Sequence, residues 1–252
     1  MASNALPASY LPVQVALTLS EPVLLLVAIG IVVAFRRWQQ GRIETDSFVV
    51  LIAWFVVPFA YVLIRRPPMY DGYRHFLFIL PPLFVTAGLA IEAIGDHLRS
   101  PWLRGSILLL LAAPGAAGVL ADHPYPYAHY NVFAGGMVGA YRRYETDFWL
   151  TCYKETLGIV NSRPDRPQRI YVLRNAPLAR YYALPDIEVL PYEPELGETR
   201  VGSWLLATTR SNADASALPG DPMLLEVGRN GAVFCVVKNV VSVPEPFNSP
   251  AP

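Results

Sequence analysis

The stretch Phe48–Ile64, FVVLIAWFVVPFAYVLI, holds seventeen residues without a charge. A helix that crosses a bilayer takes about 20 mostly apolar residues, with a range of roughly 17–25. In a soluble fold such a segment would have to be buried on every side. It constrains the chain more than any other feature. Three further segments share its character: Val13–Phe35, interrupted by Ser20-Glu21-Pro22; Phe76–Ile94, with Pro81-Pro82 near its start; and Gly105–Ala121, rich in small residues. In the first, the interruption predicts a short interfacial stretch and then a span starting near Pro22, since proline suits a helix N-terminus. The 252 residues are 53% hydrophobic and 16% charged, against about 25% charged in an ordinary soluble domain. Net charge is zero, which leaves no case for bulk binding to nucleic acid.

The composition changes near Ala121–Asp122. Residues 1–121 read as a membrane region of about four spans (near 13–35, 48–64, 76–94 and 105–121), and 122–240 as a small extracytoplasmic α/β domain. The tail 241–252 is proline-rich and reads as disordered. The N-terminal MASNALPASYLP lacks the basic flank and apolar core of a cleaved signal, and resembles the middle of a loop. The loops after the first and third spans carry five arginines (36, 37, 42, 99, 104), against three (65, 66, 74) after the second. The excess of basic residues in cytoplasmic loops then places the second loop and the C-terminal domain outside.

In the second half, hydrophobic spacing predicts one helix from Val138 to about Asn161, placing Glu145 and Asp147 on different helical faces. Asp147, beside Phe148-Trp149, reads as a buried structural carboxylate, with contact to a sugar as the functional alternative. Strands follow at Arg169–Leu173, Ile187–Leu190 and Trp204–Thr208, with a helix over Ala176–Ala183. A hairpin runs from Met223 to Asn239, turning at Arg229-Asn230-Gly231. Cys152 and Cys235 form no metal or redox motif. They read as buried thiols, or as a pair if the domain faces an oxidising compartment. No GxSxG, HExxH, GxxxxGK[ST] or GxGxxG is present. His123 and His129 stand six apart across prolines, which is not a helical metal-ligand spacing.

Between the second and third spans lies RRPPMYDGYRHFLFILPPL. By spacing alone its arginines are headgroup-seeking flanks, although they stand on the side where the charge rule disfavours them. This stretch, and HPYPYAHYNVFAGGMVGAYRRYETDFWLTCYKE after the last span, resemble the C-terminal part of bacterial GT-C membrane glycosyltransferases. That group is related to protein O-mannosyltransferases and aminoarabinose transferases, and the resemblance covers most of the chain. It implies transfer of a sugar from a polyprenyl-phosphate-linked donor at the outer face of the bacterial inner membrane. Arg65, Arg66, Arg74 and His75 would face the lipid phosphate, positioned by Tyr70 and Asp71. His123, Tyr130, Asn131, Gly135, Gly136, Glu145, Asp147 and Trp149 belong to the second motif, as substrate-contacting or structural positions.

No cofactor is implied beyond a divalent metal that the complete enzyme would accommodate, and no metal ligands are assigned. In the family the catalytic carboxylate lies in a first outer loop, and nothing upstream of Tyr10 matches it; Glu21 does not. The expectation is therefore a C-terminal portion, inactive alone and partnered by an N-terminal half encoded upstream. The other reading is a non-enzymatic membrane-anchored binding or assembly module.

Overall fold

The computed structural model describes residues 6–69, 71–193 and 200–242. Two compact units divide the chain, Met1–Gly136 and Met137–Pro252. The composition changes fifteen residues before that division, and 122–136 belongs to the first unit. Tyr70 and the tail from 243 onward lie outside the described residues.

The first unit is helical: α1 (Tyr10–Thr18), α2 (Glu21–Gln39), α3 (Thr45–Arg65), α4 (Leu80–His97) and α5 (Pro101–Ala121). Three helical stretches, Thr45–Arg65, Arg74–His97 and Pro101–Ala121, are long and apolar enough to cross a membrane. The helices α1 and α2 meet the same length and composition only when taken together across a 112° bend, which makes up to four. That break falls at the Ser20-Glu21-Pro22 interruption, with Pro22 in the first turn of α2, where a missing N–H costs nothing. Proline also opens α4 and α5. Pro58 and Pro114 lie inside α3 and α5.

The closest helix pair is α2 with α4. Leu26, Gly30 and Ala34, one helical turn apart, form the buried stripe of α2. They face Thr86, Ala87 and Ala90 on α4. A β-carbon on Gly30 would lie 1.8 Å from the Thr86 carbonyl oxygen, so only glycine permits this approach. At one end of the pair Arg37 Nη1 donates to Glu92 Oε2 at 2.6 Å. Most of the remaining helical surface is apolar and exposed; α5 buries no residue within the unit. That is the pattern expected where hydrocarbon, rather than water, surrounds the helices.

The second unit is a five-stranded mixed sheet in the order β2-β1-β3-β5-β4. Its strands are β1 (Arg169–Val172), β2 (Glu188–Pro191), β3 (Trp204–Thr208), β4 (Met223–Arg229) and β5 (Ala232–Asn239). Its helices are α6 (Gly136–Ala140, at the joint), α7 (Cys152–Ser162), α8 (Ala176–Tyr182) and α9 (Ala213–Ser216). The connection through α8 makes β1 and β2 parallel, and β1 is also parallel to β3. The hairpin supplies the two antiparallel pairings, β3–β5 and β4–β5. At its turn Asn230 and Gly231 both have positive φ (47° and 80°), as an Asn-Gly type I′ turn requires. All five residues of β3 are buried, which explains its unbroken apolar reading, WLLAT.

One expectation is corrected in this unit, and one open alternative is decided. The single helix over 138–161 is two helices separated by a loop, with Arg142 and Leu150 in the left-handed region. The carboxylate of Asp147 ends any continuation: its two oxygens accept from the backbone N–H groups of Thr151 (3.0 Å) and Cys152 (2.9 Å), starting α7 afresh. Of the two readings of the cysteines, the pair holds: Cys152 on α7 and Cys235 on β5 form a disulfide.

Candidate functional site

At one end of the first unit α3 stops, α4 begins, and the chain leaves α5; α1 lies among these connections. The end of α3 is set by Arg66, whose left-handed backbone (φ 46°) turns the chain out while its N–H donates to Val62 O at 3.0 Å. Arg65 and Arg66 are exposed there. Met69 then returns to the core beside Leu11, Val15 and Ile79. Asp71 and Gly72 both have positive φ (58° and 69°), a tight turn that buries the Asp71 carboxylate. Arg74 Nη2 lies 3.0 Å from Asp71 Oδ2, and Arg74 Nε donates to His75 Nε2 at 3.3 Å. Arg74 is thus held by protein, where spacing alone made it a headgroup-seeking flank.

Helix α1 fastens this loop. The Tyr10 hydroxyl accepts from Gly72 N at 3.1 Å, and Thr18 Oγ1 and the Tyr73 hydroxyl are hydrogen-bonded at 2.9 Å. The C-terminal end of α1 is also held by the second motif. Breaking the helix at Leu19–Ser20 leaves carbonyls without helical partners, and an unmatched carbonyl in apolar surroundings is costly. Asn131 takes three of them. Its Nδ2 donates to Ala16 O (2.7 Å) and Leu19 O (2.8 Å), and its backbone N–H donates to Leu17 O (2.8 Å). Its Oδ1 accepts from Phe133 N at 3.0 Å, turning the chain so that Val132 N donates to Glu21 Oε1 at 2.7 Å. Gly135 and Gly136, both with positive φ (79° and 66°), complete the turn.

Upstream in this strap, His129 Nδ1 lies 2.6 Å from Asp122 Oδ2, and its ring rests on Gly118, where a β-carbon would come within 2.8 Å. Tyr125 and Tyr130 are buried, and His123 is exposed. Through α1 the fold therefore links the loop 71–75 to the strap 122–136, sixty residues apart. We expect Asn131→Ala to strand Ala16 O and Leu19 O, at about 1–3 kcal/mol each. Amide hydrogen exchange along α1 would accelerate in the variant. Unchanged protection there would show that α1 is held by other contacts.

Glu145, Asp147 and Trp149 lie in the second unit. Glu145 is 3.6 Å from Arg210 Nε, and Arg210 Nη1 also donates to Phe148 O at 3.0 Å. Trp149 is exposed, edge-on to Phe148. The remaining polar network there is architectural. Arg142 grips the buried Asp214 with both amino groups (3.2 and 2.7 Å), and this pairing raises the guanidinium further above its ordinary range. Lys238, pushed down by burial, donates to Asp214 O, Ala217 O and Leu218 O at 2.8–3.1 Å. Among the described residues no group of three or more His, Cys, Asp or Glu could hold a metal ion. Sequence reasoning singled out Asn131 and the glycines but missed Tyr10, Thr18 and Asp122, and weighed His129 only as a metal ligand beside His123. It set Glu21 aside for matching no motif, and only its place at the interruption signalled a role. No protein-family model matches the chain, and neither a curated protein nor a solved structure matches it.

Proposed function

We propose that the chain is the donor-lipid side of an integral-membrane glycosyltransferase that takes its sugar from a polyprenyl-phosphate carrier. One observation supports this above the rest: α1 ties the loop 71–75, with Arg74 and His75, to the 122–136 part of the second motif. Departure of the carrier phosphate leaves anionic oxygens, which guanidinium groups match bidentately. The Asp71 carboxylate and the Tyr10–Gly72 bond position Arg74; Arg65 and Arg66 stand exposed at the end of α3 and can reach a headgroup. In this reading the chain enters the second unit on the outer side, consistent with a disulfide, which persists in oxidising compartments.

The base that would activate an acceptor hydroxyl is assigned to no described residue. Asp71, Asp122, Asp147 and Asp214 each hold a structural contact. That commitment favours a second reading, a non-enzymatic membrane-anchored module whose α/β domain recognises a glycan or a partner. To separate the two, the chain is co-expressed with the product of the reading frame directly upstream, and sugar transfer from a polyprenyl-phosphate-linked donor is followed. Arg74→Gln should lower kcat/KM for the donor about 10–100-fold, the loss of one charge-assisted contact of about 1.5–3 kcal/mol, with membrane insertion intact. Donor kinetics indifferent to Arg74 would remove the phosphate assignment; no transfer from the co-expressed pair would favour the module.

A further inference from the structure

At the opposite end of the helices, α4 and α5 enclose a groove of about 200 Å³. Its walls are hydrocarbon: Ile91 and Ile94 from α4, and Ile107, Leu108 and Leu111 from α5. Its mouth is charged, and the charges are divided by helix. Glu92 and Asp96 line the α4 side, and Arg104 the α5 side.

The three groups are not equally committed. Glu92 is taken by Arg37 at 2.6 Å. Asp96 lies 3.7 Å from the same guanidinium, and its side chain remains 66% exposed. Arg104 donates from Nε to Leu98 O at 2.9 Å, which fixes the guanidinium plane at the rim. Its two amino groups make no other hydrogen bond among the described residues. The mouth therefore offers a cation on one wall and a carboxylate on the other, above a slot that suits an acyl chain. It sits where α4 ends at His97 and α5 begins at Pro101, the level at which headgroups meet a membrane-spanning helix pair.

We infer that this groove holds an aminophospholipid, with the phosphate on Arg104, the primary ammonium on Asp96 and an acyl chain between α4 and α5. The inference rests on the reading that these helices lie in a bilayer. Charge complementarity selects the headgroup. A glycerol headgroup has no cation for Asp96, a choline has no N–H to donate, and an ethanolamine ammonium has three N–H donors. A phosphate diester presents to Arg104 the oxygens that guanidinium binds in pairs.

The test begins with carbonate extraction of membranes containing the full chain, since release of the protein would refute the bilayer reading itself. The chain purified in detergent is then titrated with phosphatidylethanolamine, phosphatidylcholine and phosphatidylglycerol of identical acyl chains, and lipid adducts are read by native mass spectrometry. One retained phosphatidylethanolamine is expected, bound about tenfold more tightly than the other two, as one charge-assisted hydrogen bond provides. Asp96→Asn and Arg104→Gln should each remove the preference. Ile107→Trp, which fills the slot, should remove the adduct while the protein stays folded by circular dichroism. Equal retention of all three lipids, or a preference untouched by these substitutions, would overturn the assignment for a protein that had resisted extraction.

Discussion

Removing the Cys152–Cys235 bridge will destabilise the second unit more than any substitution of its surface. The two cysteines are 83 residues apart in sequence. In the chain-entropy account, cross-linking a loop of that length restricts the unfolded chain by about 4–5 kcal/mol at 25 °C. That is a large share of the roughly 5–15 kcal/mol by which a domain is stable. The location adds to the effect. Both residues are fully buried, and the bond joins α7 to β5, the strand that pairs with both β3 and β4. Leu157 and Val160 of α7 and Val237 of β5 are likewise buried, while Val236 belongs to a buried cluster with Tyr171, Leu205 and Leu218. Hydrogen exchange on the full chain in detergent, with and without reductant, reads this directly. Amides of β3 and β5 should exchange several orders of magnitude faster once the bond is reduced, and Cys152→Ala/Cys235→Ala should reproduce the change without reductant. The Arg229–Glu155 pair also joins β4 to α7, but it is partly exposed and is worth far less than the covalent link. Exchange rates that ignore both treatments would mean that the sheet and α7 hold together without the bridge. In cells, the same cysteines should resist maleimide labelling until reductant is added if the domain lies on the oxidising side, as proposed.

What could be read in advance follows from the range of the interactions concerned. The strands around Arg169–Val172 and Trp204–Thr208 are short, largely apolar runs, and the hairpin at Asn230-Gly231 carries a turn dipeptide whose geometry is intrinsic. The break at Ser20-Glu21-Pro22 was visible for the same reason, because a serine, a charge and a proline interrupt an apolar run. The helix over 138–161 failed because helical spacing of Tyr141, Tyr144 and Phe148 is also compatible with a loop. What decides it is Asp147 capturing the N–H groups of Thr151 and Cys152, a local competition that periodicity does not weigh. The candidate site was legible only in outline. Asn131 could be singled out as part of a motif, but its partners are the carbonyls of Ala16, Leu17 and Leu19, more than a hundred residues away. Nothing in the spacing of either segment reports that meeting. Arg74 looked like a flank for a related reason: its tie to Asp71 requires two consecutive left-handed residues, and only the Gly72 half of that turn is suggested by composition.

Gly30→Ala should unfold the helical unit's central pair, although alanine is the best helix former. The added β-carbon would sit 1.8 Å from Thr86 O, 2.4 Å from Thr86 C and 3.2 Å from Ala87 N, all backbone atoms that cannot rotate aside. Helices α2 and α4 would have to separate by more than an ångström, and the contacts of Leu26, Ala34, Ala87 and Ala90 would be lost together. Overpacking of a rigid contact costs about 1–3 kcal/mol, occasionally more, and this contact falls at the upper end because no side chain can yield. Gly30→Leu should prevent assembly altogether. The control lies in the same unit. Gly88 on α4 and Gly105 on α5 have no neighbour within 4 Å of an added β-carbon. Alanine at either should be neutral or stabilising by roughly 0.5–1 kcal/mol, from reduced freedom of the unfolded backbone. Thermal unfolding in detergent, followed by tryptophan fluorescence, should therefore give opposite signs for chemically identical substitutions. Equal midpoints for Gly30→Ala and Gly88→Ala would contradict the close approach of α2 and α4. The consequence reaches the candidate site, because α2 begins at Glu21, whose carboxylate accepts from Val132 N. A displaced α2 would pull Glu21 from the strap, so the strap should gain protease sensitivity in Gly30→Ala and not in Gly88→Ala.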